Sequence, residues 1–265
     1  MDIPFSRWHP AIEKRRSRRY FDPNLPLAPE TLTALDKVCN QFVPFPHARS
    51  RLVTESADSV FKGIIGSYGR IRNASAFIAF IGNMSDPLVQ EEVGYTGEGI
   101  ILEATALGLS TCWVGGFFRA EIAASLAEVS HGERVLAITP VGYAQQSESW
   151  EERLMTGFAR SHNRVAISKL ARGLPREKWP DWVNPSLEAA RRAPSAANRQ
   201  PWGFDVQADG ITVFVRTAGP EFNVSKRLDC GIAMLHLEVA ALDSGCKGKW
   251  EFLPSPQVAK FKTRS

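Results

Sequence analysis

GEGIILEATALGLSTCWVGGF, residues 97–117, combines a long apolar segment with a glycine-rich loop. Ile100, Ile101, Ala104 and Leu107 recur at helical spacing, so we predict a nearly all-apolar helix over residues 96–107. Gly108 directly follows and is its predicted C-cap. The four residues WVGG at 113–116, taken alone, indicate only a glycine-rich turn.

A second long apolar helix is predicted over residues 228–243, with an apolar stripe formed by Leu228, Ile232, Leu235, Val239 and Leu242. Its segment LEVAAL (237–242) matches LEATAL (102–107) at four of six positions. A Gly, a Cys and a Trp follow each segment shortly afterwards. Six helix-forming positions can agree by chance, but the order of the other segments favours an internal duplication.

The remaining predicted elements are shorter. Helices are predicted over 11–16, over a segment opened by LAPE (27–30) and running to about Cys39, from about Ala120, and over 186–192 with Ser186 as its cap. Strands are predicted over 76–81, 134–143 and 211–216. Residues 144–185 are rich in Gln, Ser, Glu, Arg, Lys, Trp and Pro, so we predict a connecting arm that wraps the surface without packing as a unit.

Composition excludes several classes of protein. The 265 residues are 44% hydrophobic and 23% charged, as in an ordinary globular protein of one domain or two fused units. The net charge is +4, and basic residues cluster at 14–19, 160–178 and 191–199. Such clusters suit a phosphorylated small molecule at least as well as nucleic acid. We therefore expect no nucleic-acid partner.

The four cysteines show no CxxC pairing and no matched His spacing, so we predict reduced thiols and no metal site. The N-terminus has no apolar stretch of signal-peptide length. The longest apolar run, around 74–82, is too short to cross a bilayer. These features predict a cytoplasmic protein without a membrane partner.

Two further segments can bind a ligand. RRSRRYF at 15–21 offers guanidinium groups that hold phosphate in a bidentate manner, although such a run alone is often solvated surface. APSAANRQPW at 193–202 offers small polar side chains that can bond a planar heteroaromatic ring. Taken alone, its Pro, Ser and Asn equally indicate a turn that ends a helix, and Trp202 a core aromatic.

Together, these segments resemble the FMN-dependent nitroreductase family. RRSRRYF (15–21) is similar to its N-terminal phosphate motif, APSAANRQPWGF (193–204) to its flavin-edge loop, residues 97–117 to its central helix and flavin-face loop, and VLAITPVGYA (135–144) to the following strand. The resemblance implies an α+β fold of three layers, with a central mixed or antiparallel sheet flanked by helices.

The order of the motifs departs from the family. An ordinary member carries the PSxxNxQPW loop soon after the first motif, where this chain has VCNQFVPFP (38–46). In the family's homodimers each FMN lies across the interface, and the two subunits contribute different motifs. The resemblance thus implies a fused pseudo-dimer with one flavin site: a first repeat over 1–166 and a shorter second repeat over 167–265. It also implies a monomer.

The family pattern implies the cofactor contacts. Arg15, Ser17 and Arg19 would contact FMN, Arg16 would contribute its backbone, and the charge of Arg19 would stabilise the reduced ring. Arg70 is a second basic contact or a surface residue. Arg160 and Arg164 both fit the position that completes the phosphate site, and the sequence does not choose between them.

The two loops would hold the flavin ring. The implied contacts at its edge are Pro194, Ser195, Ala196, Asn198 and Gln200, with Ala196 where many members have a second Ser. Those at its face are Cys112, Trp113, Val114, Gly115 and Gly116, with a backbone N–H directed at flavin N5. Many members have an acidic residue at Gly115. No protein side chain is expected to act as acid, base or nucleophile.

The resemblance implies an FMN-dependent NAD(P)H oxidoreductase. NADH or NADPH would donate hydride to flavin N5, and a nitro, quinone or related small-molecule acceptor would then be reduced in an alternating mechanism. The alternative is a non-catalytic protein that binds FMN or another ligand and descends from such an enzyme.

Overall fold

The computed structural model describes residues 1–55, 57–61, 71–145, 163–217, 219, 221 and 223–264. The helices in these ranges are α1 (Phe5–Lys14), α2 (Pro29–Gln41), α3 (Ala57–Phe61), α4 (Val89–Ala106), α5 (Ala120–Leu126), α6 (Ile167–Leu170), α7 (Val183–Arg191) and α8 (Lys226–Asp243). None of these helices is long and apolar enough to cross a membrane.

The strands form two sheets, one in each half of the chain. The first contains β1 (Ala48–Val53), β2 (Ala76–Asn83), β3 (Ser110–Thr111) and β4 (Glu133–Gly142), is antiparallel throughout and has the order β1-β2-β4-β3. The second contains β5 (Ala171–Gly173), β6 (Trp202–Gln207), β7 (Gly210–Val215), β8 (Gly248–Phe252) and β9 (Gln257–Thr263), in the order β5-β6-β7-β9-β8. Only the β5–β6 pair in it is parallel. The expected α+β class is confirmed, with a separate sheet in each half.

The long apolar helices α4 and α8 are buried and pack against each other. Their backbones approach closely at two glycines. A Cβ at Gly94 would lie 2.0 Å from the Leu228 carbonyl oxygen, and one at Gly231 would lie 2.1 Å from the Glu91 carbonyl oxygen. The two contacts are reciprocal, because 231 − 94 and 228 − 91 both equal 137. This is the pattern that a local two-fold axis between the helices produces.

Polar groups also connect the two helices. Arg227 donates to both carboxylate oxygens of the buried Glu91, with Nε 3.0 and 2.9 Å from them. Tyr95 on α4 donates its hydroxyl to Glu238 on α8 at 2.5 Å. Trp250 donates to the same oxygen at 2.7 Å. The carboxylates of Glu91 and Glu238 are thus each hydrogen-bonded by a residue of the other half, and such bonds offset the cost of burying polar groups.

Strand β2 is buried on both faces, as its continuous apolar run predicts. One face contributes to a core that includes Phe61, Phe77 and Ile138. The other face, with Ile78 and Phe80, joins the larger core that contains α4 and α8.

The structure corrects several predicted boundaries. Helix α1 ends at Lys14, so residues 15 and 16 follow it in extended chain. Helix α4 begins at Val89, seven residues before the predicted start, because Glu91 and Glu92 lie buried in its first turn despite their charge. Helix α7 begins at Val183, so Ser186 is not its cap. Instead, the Ser186 hydroxyl donates to the Trp182 carbonyl inside the helix.

The prediction of an unpacked arm over 144–185 is wrong for its described part. Ile167, Leu170 and Val183 are buried, and β5 pairs with β6. The polar composition conceals this packing, since only a few apolar positions in the segment face the core. Residues 146–162 lie outside the described ranges.

Candidate flavin site

The basic motif lies beside the first sheet. Ser17 pairs with Thr111 of β3 in a parallel bridge, and the Arg18 N–H donates to the Thr111 carbonyl at 2.9 Å. Further along, Phe21 pairs with Ala144. The motif is therefore held next to the strand that leads into the flavin-face loop at 112–116.

Arg15 is the most buried arginine of this motif, at 8% exposure. Its Nη1 lies 3.4 Å from the Ser17 hydroxyl, and its Nε lies 4.0 Å from a Glu98 carboxylate oxygen. Within the described part of the chain, Nε has no hydrogen-bond partner. A buried guanidinium N–H without an acceptor is the group that an anionic ligand satisfies.

Arginines from both halves converge on this point. Arg164 has its pKa lowered to about 10, first by burial and then by the positive charges of Arg15, Arg191, Arg16 and Arg192. Like charges held this close repel one another, and a phosphate group would relieve the repulsion. The structure thus places Arg164 in the basic cluster, whereas Arg70 and Arg160 lie outside the described residues.

The flavin-edge loop of the second half reaches the same cluster. Arg164 Nη1 donates to Asn198 Oδ1 at 3.0 Å, and Asn198 Nδ2 donates to the Asn163 carbonyl at 3.0 Å. Gln200 is 4% exposed; its Nε2 donates to the same carbonyl at 3.1 Å, and its Oε1 accepts from the Val165 N–H at 2.9 Å. The Gln200 amide therefore braces residues 163–165 and positions Arg164.

The backbone of this loop is strained. Ala197, Asn198 and Gln200 have positive φ angles of 55°, 51° and 45°, which residues other than glycine rarely adopt. The Ser195 hydroxyl accepts from the Gln200 N–H at 3.0 Å and helps to hold the turn. Such strain persists only where the surroundings determine the conformation, and it is frequent in ligand-binding loops.

Asp229 of α8 supplies much of that support. Its Oδ1 accepts from the Ala196 N–H at 3.1 Å, and its Oδ2 accepts from Arg199 Nε at 2.6 Å. Burial raises the pKa of Asp229 to about 7, while the Arg199 guanidinium opposes this shift. Neither Asp229 nor Arg199 was predicted as a site residue, although an acidic residue buried in the first turn of a largely apolar helix was a usable signal.

The flavin-face loop packs directly on the second half. Val114 exchanges both backbone hydrogen bonds with Ile138 at 2.9 Å, so its N–H is already used. A Cβ at Gly115 would lie 2.7 Å from Val224, and Gly116 has a φ of +80° beside Asn223. A side chain at 115 would have to displace Val224, and the φ of Gly116 favours glycine, so the face loop is held in close contact with residues 223–224.

Other predicted positions face inward or remain partly exposed. Cys112 is buried, and its N–H donates to the Thr139 hydroxyl at 3.1 Å. Arg19 is half-buried, and its carbonyl accepts from the Arg72 N–H at 3.0 Å. Arg16 is exposed, and Pro194 is half-buried at the start of the edge loop.

A buried network that the sequence analysis missed connects the face loop to α8. Trp113 Nε1 donates to Glu98 Oε2 at 2.6 Å, and His236 Nε2 lies 2.8 Å from Glu98 Oε1. His236 Nδ1 lies 3.1 Å from the Ala189 carbonyl, which can only accept, so Nδ1 carries a proton. The Glu98–His236 pair fixes the orientation of Trp113.

Comparison with known proteins agrees with this geometry. A sequence model of the family described as "Putative TM nitroreductase" matches residues 8–241. The chain belongs to this family. No curated protein sequence matches it.

A solved structure of nearly the same length shares the fold. The crystal structure of a putative nitroreductase from Thermotoga maritima MSB8 superposes with a TM-score of 0.64 at 20% identity, covering 96% of this chain and 93% of that one. Its match over nearly the whole length is consistent with a single-chain, fused-repeat form. A nitroreductase family protein from Clostridium difficile 630 aligns with a TM-score of 0.46 at 19% identity, covering 64% of this chain and 98% of that chain.

Proposed function

We propose that this chain is an FMN-dependent NAD(P)H oxidoreductase that binds one FMN between its two halves and acts as a monomer. The observation that carries the proposal is the arginine cluster around Arg164, in which Arg15, Arg16 and Arg164 of the first half meet Arg191, Arg192 and Asn198 of the second half. A phosphate group is the ligand that neutralises such a cluster.

The residues present fit the phosphate of FMN. The unpartnered Nε of Arg15 and the arginines near it suit that group. Asn198, which accepts from Arg164, connects these arginines to the edge loop. The reciprocal contacts of α4 and α8 agree with two equivalent repeats that face each other, as the proposed division into residues 1–166 and 167–265 requires.

Bound FMN would supply the two-electron chemistry, with NADH or NADPH as donor and a nitro, quinone or related compound as acceptor. The protein's own part is binding and orientation. Arg15 and Arg164 hold the phosphate, Asp229 and Gln200 hold the strained edge loop, and the Glu98–His236 pair holds the face loop through Trp113.

The first test is cofactor content. Purified protein should carry one FMN per chain, run as a monomer in solution, and lose its flavin absorbance when NADH or NADPH is added without oxygen. Two FMN per chain would contradict the single internal site. FMN binding without reduction by either donor would support the non-catalytic alternative.

The second test compares FMN with riboflavin, which lacks the phosphate. Arg164→Ala should weaken FMN binding by roughly 10- to 100-fold, the effect of losing a charge-assisted hydrogen bond, and leave riboflavin binding unchanged. The matched control is Arg134→Ala, which removes an exposed arginine of β4. Equal losses for FMN and riboflavin would show that Arg164 does not bind phosphate.

A further inference from the structure

A second cluster of polar side chains lies near the first turn of α4. His47 directly precedes β1, Asp86 lies in the turn after β2, and Glu92 lies in the first turn of α4. The imidazole Nδ1 and one oxygen of each carboxylate lie within 4.8 Å of one another. These residues are not among those of the flavin site.

The three side chains converge without satisfying one another. His47 Nδ1 lies 3.3 Å from Asp86 Oδ2 and 3.5 Å from Glu92 Oε2. Both Nδ1 and Oε2 are buried atoms without a hydrogen-bond partner in the part of the chain that the structure describes. The Glu92 side chain is only 4% exposed, so water cannot solvate its charge fully. Buried polar groups are normally satisfied by a protein group, an ordered water or an ion, and no protein group among the described residues satisfies these two atoms.

The separations match those of ligands around one metal ion. With metal–nitrogen and metal–oxygen bonds of about 2.0–2.2 Å and tetrahedral angles, two ligand atoms lie about 3.4 Å apart. The 3.3 and 3.5 Å distances from His47 Nδ1 bracket this value. Hydrogen bonds between the same atoms would be shorter, near 2.8 Å.

Backbone contacts hold the ligands in place. Asp86 Oδ1 accepts from the Leu88 N–H at 2.7 Å, which orients the carboxylate and leaves Oδ2 for His47 and Glu92. The His47 carbonyl accepts from the Asn83 N–H at 2.8 Å and joins β1 to the same turn.

We propose that His47, Asp86 and Glu92 bind one divalent transition-metal ion of the Zn²⁺ or Mn²⁺ class. One neutral imidazole and two carboxylates neutralise such an ion and supply the nitrogen and oxygen donors it prefers. His47 also lines a cleft of about 400 Å³ beside the cluster. The ion joins β1, the turn after β2 and α4.

The test uses tag-free, chelator-treated protein, titrated calorimetrically with ZnCl₂ and MnCl₂. One ion should bind per chain, and the melting temperature should rise by about 5 °C at saturating metal. His47→Gln and Glu92→Gln should each weaken binding at least about tenfold while leaving the circular dichroism spectrum unchanged. The matched controls are His131→Gln and Glu121→Gln, which alter exposed residues and should bind as the wild type does.

X-ray absorption of the zinc-loaded protein identifies the ligands. Only nitrogen and oxygen at about 2.0–2.2 Å should surround the metal. A sulfur shell at about 2.3 Å would assign the ion to a cysteine, such as Cys39 in the same cleft, and overturn the proposal. The proposal is equally overturned if neither metal binds, or if both variants bind like the wild type.

Discussion

The crossing of α4 and α8 gives a quantitative test of how the two halves are joined. In Gly231→Ala the new Cβ would lie 2.1 Å from the Glu91 carbonyl oxygen. Ordinary contact needs at least about 3.4 Å, so the backbones must separate by about 1.3 Å. Overpacking of this kind costs about 1–3 kcal/mol, and here the cost should reach or exceed the upper end, because the obstacle is backbone.

The alanine returns about 1 kcal/mol through its higher helix propensity. The net loss of unfolding free energy is therefore about 2 kcal/mol, or about 4–8 °C in melting temperature. Scanning calorimetry and urea denaturation, both followed on flavin-free protein, measure it directly.

Gly94→Ala strains the same crossing from the other side, with its Cβ 2.0 Å from the Leu228 carbonyl. Once the helices have separated, the second alanine meets less obstruction. The double variant should therefore lose less stability than the sum of the two single variants, by about 0.5 kcal/mol or more.

Gly108→Ala is the control. Gly108 ends α4 with a φ of +81°, and nothing lies within 4 Å of its Cβ position. Its substitution should cost about 1–2 kcal/mol through backbone strain alone and add fully to Gly231→Ala. An unchanged melting temperature in Gly231→Ala, or full additivity of the two crossing variants, would refute the reasoning.

Three further predictions concern charged residues. Arg227→Met should lower the unfolding free energy, measured by urea denaturation, by about 3–5 kcal/mol, because it leaves the buried Glu91 without its partner. Adding Glu91→Gln should recover part of the loss. A single variant as stable as the wild type would contradict this reasoning. Asp229 keeps its proton up to about pH 7 when folded but loses it near pH 4 when unfolded, so its ionisation costs stability as pH rises through this window. The unfolding free energy of the wild type minus that of Asp229→Asn should thus fall by up to about 4 kcal/mol between about pH 4 and 7, and a constant difference would contradict the raised pKa. Arg19→Ala should weaken FMN binding roughly tenfold in a fluorescence titration, whereas unchanged affinity would remove Arg19 from the proposed site.

The elements that were predicted correctly are those with a strong local pattern. The apolar run of β2 and the apolar stripe of α8 are visible in the sequence because an element buried in the core must consist mainly of apolar residues. Strands β1, β6, β8 and β9 were not predicted. In β8, for example, half-buried residues alternate with the exposed Lys249 and Glu251. This pattern is too weak to predict a strand before its pairing with β9 is known.

The start of α4 shows why boundaries were missed. Glu91 and Glu92 suggest a solvated segment before the helix, yet both are buried. The burial of Glu91 is compensated by its hydrogen bonds with Arg227, which is 136 residues away in the sequence. A charge can be buried where a distant partner compensates it, and local sequence contains no information about that partner.

The candidate site divides in the same way. RRSRRYF, the APSAANRQPW loop and the face loop have local composition that suits a flavin, so their chemistry was readable from the sequence, and so was their membership of one family. Their convergence was implied only by the family resemblance and not by the residues themselves, because it depends on the packing of α4 on α8 and of residues 163–165 on the edge loop. Charges interact through space, so the lowered pKa of Arg164 and the pairing of Glu98 with His236 arise only when the folded chain brings its two halves together.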